Sequence, residues 1–243
     1  MISLTSVTFR QLTLPQIFAL AQENRLPALE LGCDVHLKNM DDAYLAANLT
    51  QKTGVQVLSL GSYYRAGVHP RSEFDRLLPL CAVTGAKNIR IWANEKGSTD
   101  ASPEDWAATA ADARYAADKA AKQGVTVSFE FHQNTLNDNG KASRALLQAI
   151  DHASAKTYWQ PLFRGQDTEN LKAVLPCLSH VHIFYWQDYD HRFALADGAA
   201  DWQSWLALLG GKGFSGAYIM EFVKDDAPAQ WRQDLQTLRE WLL

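Results

Sequence analysis

Cysteine is scarce and unpatterned in this sequence. Cys33, Cys81 and Cys177 are odd in number, widely spaced and form no CxxC pair. That excludes a disulfide framework and a cysteine-built zinc site, and it predicts buried free thiols, as expected in a reducing compartment. Basic charge is also short: 23 Lys and Arg face 27 Asp and Glu, a formal net charge of −4. A nucleic-acid partner would demand a basic surface instead. No apolar run approaches the ~20 residues of a membrane span. The first segment, MISLTSVTFRQL, has neither a basic start nor a long apolar stretch, so no secretion signal is expected and the cytoplasm is the expected location. GxGxxG after an early strand, GxSxG, HExxH and the Walker pattern are all missing. Their absence argues against dinucleotide binding, the serine hydrolase elbow, the zincin site and the P-loop.

What is present is alternation. Eight β-like runs recur from end to end: ISLTSV, PALELGC, VQVLSLG, KNIRIWA, VTVSFEF, KTYWQ, HVHIFYW and AYIMEFV. Each is followed by a helix-like stretch, and the mean repeat is roughly 30 residues, the size of one βα unit. The expected fold is α/β, a single (β/α)8 TIM barrel over residues 1–243, with an open doubly wound sheet as the competing arrangement. The clearest helix runs from Ser102 to Gly124. Ser102 is its cap, Pro103 fits its first turn, and Trp106, Ala110, Ala113, Ala117 and Ala120 recur at helical spacing. The last helix sets Trp231, Leu235, Leu238 and Leu242 on one stripe.

Side chains alternate faces along a strand. VTVSFEFH therefore divides into Val125, Val127, Phe129 and Phe131 on one face and Thr126, Ser128, Glu130 and His132 on the other. In KNIRIWAN, Arg90, Trp92 and Asn94 oppose Ile89 and Ile91. In AYIMEFV, Glu221 and Ile219 oppose Tyr218, Met220 and Phe222. The polar members fall late in their strands, at the end where barrel enzymes carry their chemistry.

Four such residues stand out: Glu130, Gln160 in YWQP, His182 in LSHVHIFYW and Glu221. Brought together, two carboxylates, an imidazole and an amide oxygen suit a divalent metal and a polyol. The glutamates are then the candidate catalytic acid/base pair. Each also has a structural reading. The glutamates could pair with a neighbouring strand's Arg90, His182 could be a satisfied core residue, and Gln160 could bond backbone. Candidate substrate-binding residues are Asp34, His36, Tyr63, Arg90, Trp92, His132 and Trp186; Tyr64 accompanies Tyr63, in a run that could equally be an exposed loop. His180 is expected to lie deeper and to be structural. Trp202 and Trp205, three residues apart, are expected to pack a helix or, if exposed, to support a homodimer.

The order and spacing of LELGCDVH, NIRIWA, SFEFHQNTLNDNG, YWQP, LSHVHIFYW and YIMEFV resemble the xylose isomerase-like TIM-barrel superfamily over essentially the whole chain. That superfamily includes ketose 3-epimerases, hydroxypyruvate isomerases, inosose dehydratases and endonuclease IV-type repair enzymes. The resemblance implies a metal quartet of Glu130, Gln160, His182 and Glu221, with Mn²⁺ or Mg²⁺ favoured and Zn²⁺ or Co²⁺ also accommodated. Gln160 stands where the superfamily usually has Asp; the loss of one negative charge predicts weaker ion binding. The implied activity is a sugar isomerase or epimerase working by metal-assisted proton abstraction next to a carbonyl, through an enediolate. The expected partner is a small sugar or polyol. Competing readings are a lyase of the inosose dehydratase type and a non-catalytic sugar-binding barrel. A repair nuclease would need more His and acidic ligands and a basic surface.

Overall fold

The computed structural model describes residues 1–188 and 190–243. Eight parallel strands close into one barrel in sequence order, β1 pairing with both β2 and β8. They are β1 (Ile2–Thr5), β2 (Ala28–Gly32), β3 (Gln56–Ala66), β4 (Asn88–Ala93), β5 (Thr126–Phe129), β6 (Ala155–Trp159), β7 (Leu178–Ile183) and β8 (Ala217–Met220). Each overlaps one run read from the sequence, with β3 continuing past VQVLSLG to Ala66, and the open-sheet alternative falls. Around them lie α1 (Leu14–Glu23), α2 (Met40–Thr53), α3 (Arg71–Asp75), α4 (Leu77–Thr84), α5 (Pro103–Ala121), α6 (Gly140–Ile150), α7 (Asp167–Val174), α8 (Ala199–Gly211) and α9 (Pro228–Trp241). Among the described residues, no helix is long and apolar enough to cross a membrane.

Local chemistry sets the helix limits. The Ser102 hydroxyl accepts from Asp105 N at 3.2 Å while Asp105 accepts from Ser102 N at 2.8 Å, a reciprocal cap that starts α5. Ala113, Ala117 and Ala120 of α5 are buried; Gly124, at φ 65°, reverses the chain into β5. The α9 stripe buries Trp231, Leu235 and Leu238 but stops there: Leu242 lies past the helix end and is 37% exposed. Trp202 and Trp205 of α8 are buried, edge-on to Trp159 of β6 at 6.1 and 5.2 Å. Trp202 donates to Phe184 O at 2.8 Å, and Trp205 to Thr168 Oγ1 at 2.9 Å. The surface on which a homodimer was expected is therefore interior packing. All three cysteines are free thiols.

The apolar core lies between strands and helices, where Leu29, Leu31, Ile89, Ile91, Val127, Phe129 and Val181 face outward under α1–α9. The barrel interior is largely polar, with a small apolar patch where Ala217 and Ile219 meet Tyr158. Ser59 of β3 pairs in register with Asn88 of β4, Gly61 with Arg90, and Arg90 with Ser128 of β5. Gly61 is required here by space. A Cβ on it would sit 2.7 Å from Arg90 Nη2 and 3.1 Å from Glu30 Oε1, and neither buried side chain can retreat. We expect Gly61→Ala to destabilise the barrel by about 1–3 kcal/mol, an overpacking cost, read as a Tm lower by roughly 2–10 °C. An unchanged Tm would show that the interior is looser than its packing implies.

Candidate active site

At the C-terminal end of the strands the barrel opens into a cavity of about 440 Å³. Glu130, Gln160 and Glu221 line it and His182 is buried against them, all placed by register. His182 belongs to β7 itself, whereas Glu130, Gln160 and Glu221 each sit one residue beyond β5, β6 and β8. Glu130 and Glu221 stay in strand geometry because their amides donate to Ile91 O at 2.9 Å and Ile183 O at 3.0 Å. All four side chains are buried. His182 Nδ1 lies 2.8 Å from Gln160 Oε1 and 3.0 Å from Glu221 Oε2. Among the described residues, Glu130, His182 and Glu221 each offer a ligand atom within 4.8 Å of the others, a cluster able to hold a metal ion.

Beneath this cluster lies Glu30, on β2 and fully buried, which the sequence reading passed over. Its Oε1 accepts from Arg90 Nε at 3.0 Å, its Oε2 from Tyr158 OH at 2.8 Å, and His182 Nε2 stands 3.6 Å away. Arg90 Nη1 turns the other way and pairs with Glu130. Glu130 thus has the Arg90 partner that its structural reading expected, and it also lines the cavity. Around Tyr158 the interior polar atoms are bonded to one another. Asn88 donates to Tyr158 OH and Ser59 Oγ, both at 3.0 Å; Ser128 donates to Asn88 Oδ1 at 2.6 Å and is itself 2.9 Å from Ser179 Oγ. His180 accepts from Ala217 N at 3.0 Å through Nδ1, and burial pulls its pKa down to about 4, so it is neutral and structural as expected.

Burial opposes charge on Glu30, but Arg90, His182 and Tyr158 outweigh it and hold the carboxyl well below the usual range. Arg90 stays a cation despite complete burial because Glu130, Glu30 and Glu221 surround it. Burial alone would also neutralise His182; Glu221 and Glu30 override it and push the imidazole up to about 10.

The wall carries most of the other expected residues. Asp34, Tyr63, Trp92, His132 and Trp186 all line the cavity. Tyr63 stacks on Trp92 at 6.0 Å, His132 leans on that indole at 4.5 Å, and the Arg65 guanidinium lies over its ring at 4.3 Å. Tyr64, one residue on in β3, points outward and donates to Asp112 Oδ2 at 3.1 Å. The run containing both tyrosines is strand, not loop. Arg90 lies on the floor, yet Nε and Nη1 are directed at carboxylates, so any influence on a substrate passes through Glu130. His36 is a correction. It is buried away from the cavity, Nδ1 2.9 Å from Ser6 Oγ and Nε2 2.8 Å from Leu12 O, tying the loop after β2 to that after β1. Asn94, at φ 65°, caps the end of β4 and donates to Thr109 Oγ1 rather than facing the cavity.

Two wall residues were unforeseen. Arg10 pairs with Asp34 at the rim. Phe222 should face outward by alternation, but its φ of 42° breaks the strand geometry, and the ring swings in to stack on Trp186 at 5.6 Å. A larger groove of about 510 Å³, between α2 and α4 outside the barrel, is lined largely by aliphatic residues such as Leu37, Leu77 and Leu80 and stands apart from this cluster.

A family model described as "Xylose isomerase-like TIM barrel" matches residues 18–241. The chain belongs to that family. No curated protein sequence matches it significantly. Among solved structures of the same fold, the probable 3-DHS dehydratase AsbF of Bacillus anthracis, involved in petrobactin synthesis, superposes with TM-score 0.86 at 17% identity over 98% of each chain. The 3-keto-D-glucoside 4-epimerase YcjR of E. coli does so at 0.78 and 18% identity, over 98% of each chain. The IOLI protein, solved with a bound zinc atom, does so at 0.82 and 14% identity, over 99% of this chain and 97% of its own. At such identities the likeness is one of fold.

The donor set fits a divalent ion: two carboxylates, an imidazole and an amide oxygen converge, with Gln160 Oε1 and Glu221 Oε2 both at His182 Nδ1. An aspartate at position 160 would add charge beside His182 Nδ1. We expect Gln160→Asp to tighten Mn²⁺ binding by about tenfold or more, measured by calorimetry; unchanged affinity would place Gln160 outside the ligand set. Without metal, the raised folded pKa of His182, about 10 against an unfolded value near ~6.5, stabilises the protein fully below the unfolded value and fades as pH climbs through the folded one. Tm of chelated protein should fall by roughly 5–10 °C between pH 6.5 and 10. His182→Gln should flatten that slope, and an equal slope in the variant would assign it to other groups.

Proposed function

We propose that this chain is a sugar isomerase or epimerase that moves a proton at the carbon next to a carbonyl, by way of an enediolate. The observation that carries this reading is the convergence of Glu130 and Glu221, which line a 440 Å³ cavity, on the fully buried His182. β5 and β8 lie three strands apart around the ring, so the two carboxylates reach that point from different sides.

Glu130 and Glu221 are the acid/base pair. One takes the proton from the substrate carbon and the other returns a proton, to the opposite face in an epimerase or to the neighbouring carbon in an isomerase. Arg90 holds Glu130 in place, and the hydrogen-bonded floor around Tyr158 holds Arg90 and Glu30, so the reacting groups are preorganised. Glu130, His182 and Glu221, with the amide oxygen of Gln160, are the residues that would hold a divalent cation, whose chemistry there is Lewis-acid polarisation of the carbonyl and stabilisation of the negative charge that follows. Tyr63, Trp92, Trp186 and Phe222 give the sugar ring flat apolar surfaces and exclude water, while His132 and Asp34 offer polar partners at the wall. The likeness to structures of a sugar epimerase and of a zinc-binding protein supports the reading at the level of fold.

The test is deuterium uptake from heavy water into a panel of ketoses and aldoses with Mn²⁺ present. Uptake is expected, and Glu130→Gln and Glu221→Gln should each slow it by about 10²–10⁴-fold. No uptake with any sugar would overturn the proposal and leave a binding barrel. Uptake accompanied by loss of water from the sugar would keep proton abstraction at this site but make the protein a lyase.

A further inference from the structure

Trp186 lines a second chamber as well as the cavity. That chamber, of about 280 Å³, shares His132, Gln160 and Trp186 with the cavity, between the loops that follow β5, β6 and β7. A third, of about 270 Å³, shares Gln133, Leu162 and Arg164 with the second and extends toward the start of α6 and α7. A ligand site for a small molecule needs about 300–1,000 Å³ in all. The 440 Å³ inner cavity meets that alone for one sugar ring, so the outer chambers offer room that a monosaccharide would leave empty.

The outer rim is built rather than slack. Arg164 donates to Gln133 Oε1, joining the loop after β6 to the loop after β5. Asn134 and Phe163, the neighbours of these two residues, both adopt left-handed backbone, φ 58° and 54°. Asn tolerates that region, but Phe does so only where its surroundings impose it. Here the Phe163 ring is held edge-on by Phe184 at 6.1 Å and Tyr185 at 5.4 Å.

Its chemistry is that of a neutral polyhydroxyl ligand. Amide side chains (Gln133, Asn134, Gln166) and carboxylates (Asp100, Asp138, Asp167) line the third chamber. Arg164 is the one cation lining either outer chamber among the described residues, against three carboxylates in the third alone, which disfavours a phosphorylated or acidic tail. Asp138 is already positioned as an acceptor by Ser98 N at 2.9 Å and Asn139 Nδ2 at 2.8 Å, and its free lone pairs face sugar hydroxyls well.

We infer that the substrate is a two-unit saccharide, with its reacting ketose in the inner cavity and a neutral second sugar in the groove formed by the loops after β5 and β6. This rests on the proposed function and names its substrate class. The probes are D-fructose, its glucosylated form isomaltulose, whose O6 linkage leaves the ketose carbonyl region unsubstituted, and D-fructose 6-phosphate. Calorimetry with the Mn²⁺-loaded protein should show isomaltulose binding at least about tenfold tighter than fructose, the worth of one or two hydrogen bonds. Arg164→Ala and Gln133→Ala should each remove most of that advantage while leaving fructose affinity and fructose deuterium uptake unchanged. Equal affinity for isomaltulose and fructose, with uptake into fructose, would overturn the inference and spare the proposed function. Tighter binding of isomaltulose without uptake into either sugar would keep the groove and overturn the proton-transfer reading. A preference for the phosphate ester over isomaltulose would overturn the neutral second sugar.

Discussion

The structure turns on Arg90, a fully buried guanidinium held between Glu30 and Glu130. Taking an ion out of water costs several kcal/mol, and only near-complete pairing recovers it. Arg90 supplies that pairing for two carboxylates at different depths. Glu30 in turn faces His182, and His182 faces Glu221. Five ionisable groups are thereby linked into one chain across the barrel interior. Removing Arg90 would leave Glu30 and Glu130 buried without their shared cation, which is why a position as small as Gly61 matters: it gives the guanidinium its space.

The rest of the interior serves this chain. A barrel filled with aliphatic side chains would pack as well, but it could not hold Glu30 charged. Tyr158, Asn88, Ser59, Ser128 and Ser179 instead form a connected hydrogen-bonded layer below the charges. A polar layer with its donors and acceptors matched is rigid, because each group fixes the orientation of the next. The apolar work of folding is moved outward, to the space between strands and helices where Trp159, Trp202 and Trp205 meet. The floor of the cavity is thus stiff, and the loops above it are free to differ in shape without disturbing it.

Alternation along strands made much of this readable. Ser128 and Glu130 face inward because Val127 and Phe129 face outward, and the same parity places Arg90 and His182 inside. The same rule puts Glu30 of LELG inside, since Leu29 and Leu31 flank it and face outward, whereas Asp34 and His36 follow the strand. His36 was misplaced because a residue in a loop has no parity to read, and its ring is claimed by Ser6 and Leu12. Phe222 was beyond reach, since a positive φ in a non-glycine residue follows from the fold around it and has no signature in the sequence. Trp202 and Trp205 were read correctly as helix packing and wrongly as possible surface, because the aromatic partner, Trp159, lies on another element.

Gln160 looks at first like the loss of a ligand charge. The balance of the whole cluster argues otherwise. Glu30, Glu130 and Glu221 carry three negative charges, Arg90 cancels one, and a metal-binding His182 must be neutral. Two negative charges remain, the complement of one divalent cation. An aspartate at position 160 would leave such a site with a net negative charge at complete burial, a state that low dielectric penalises. In the absence of the ion, the same cluster takes up a proton on His182 instead, which offsets half of the excess. A neutral amide that still offers an oxygen 2.8 Å from His182 Nδ1 therefore adds no further negative charge to the buried site, with or without the ion.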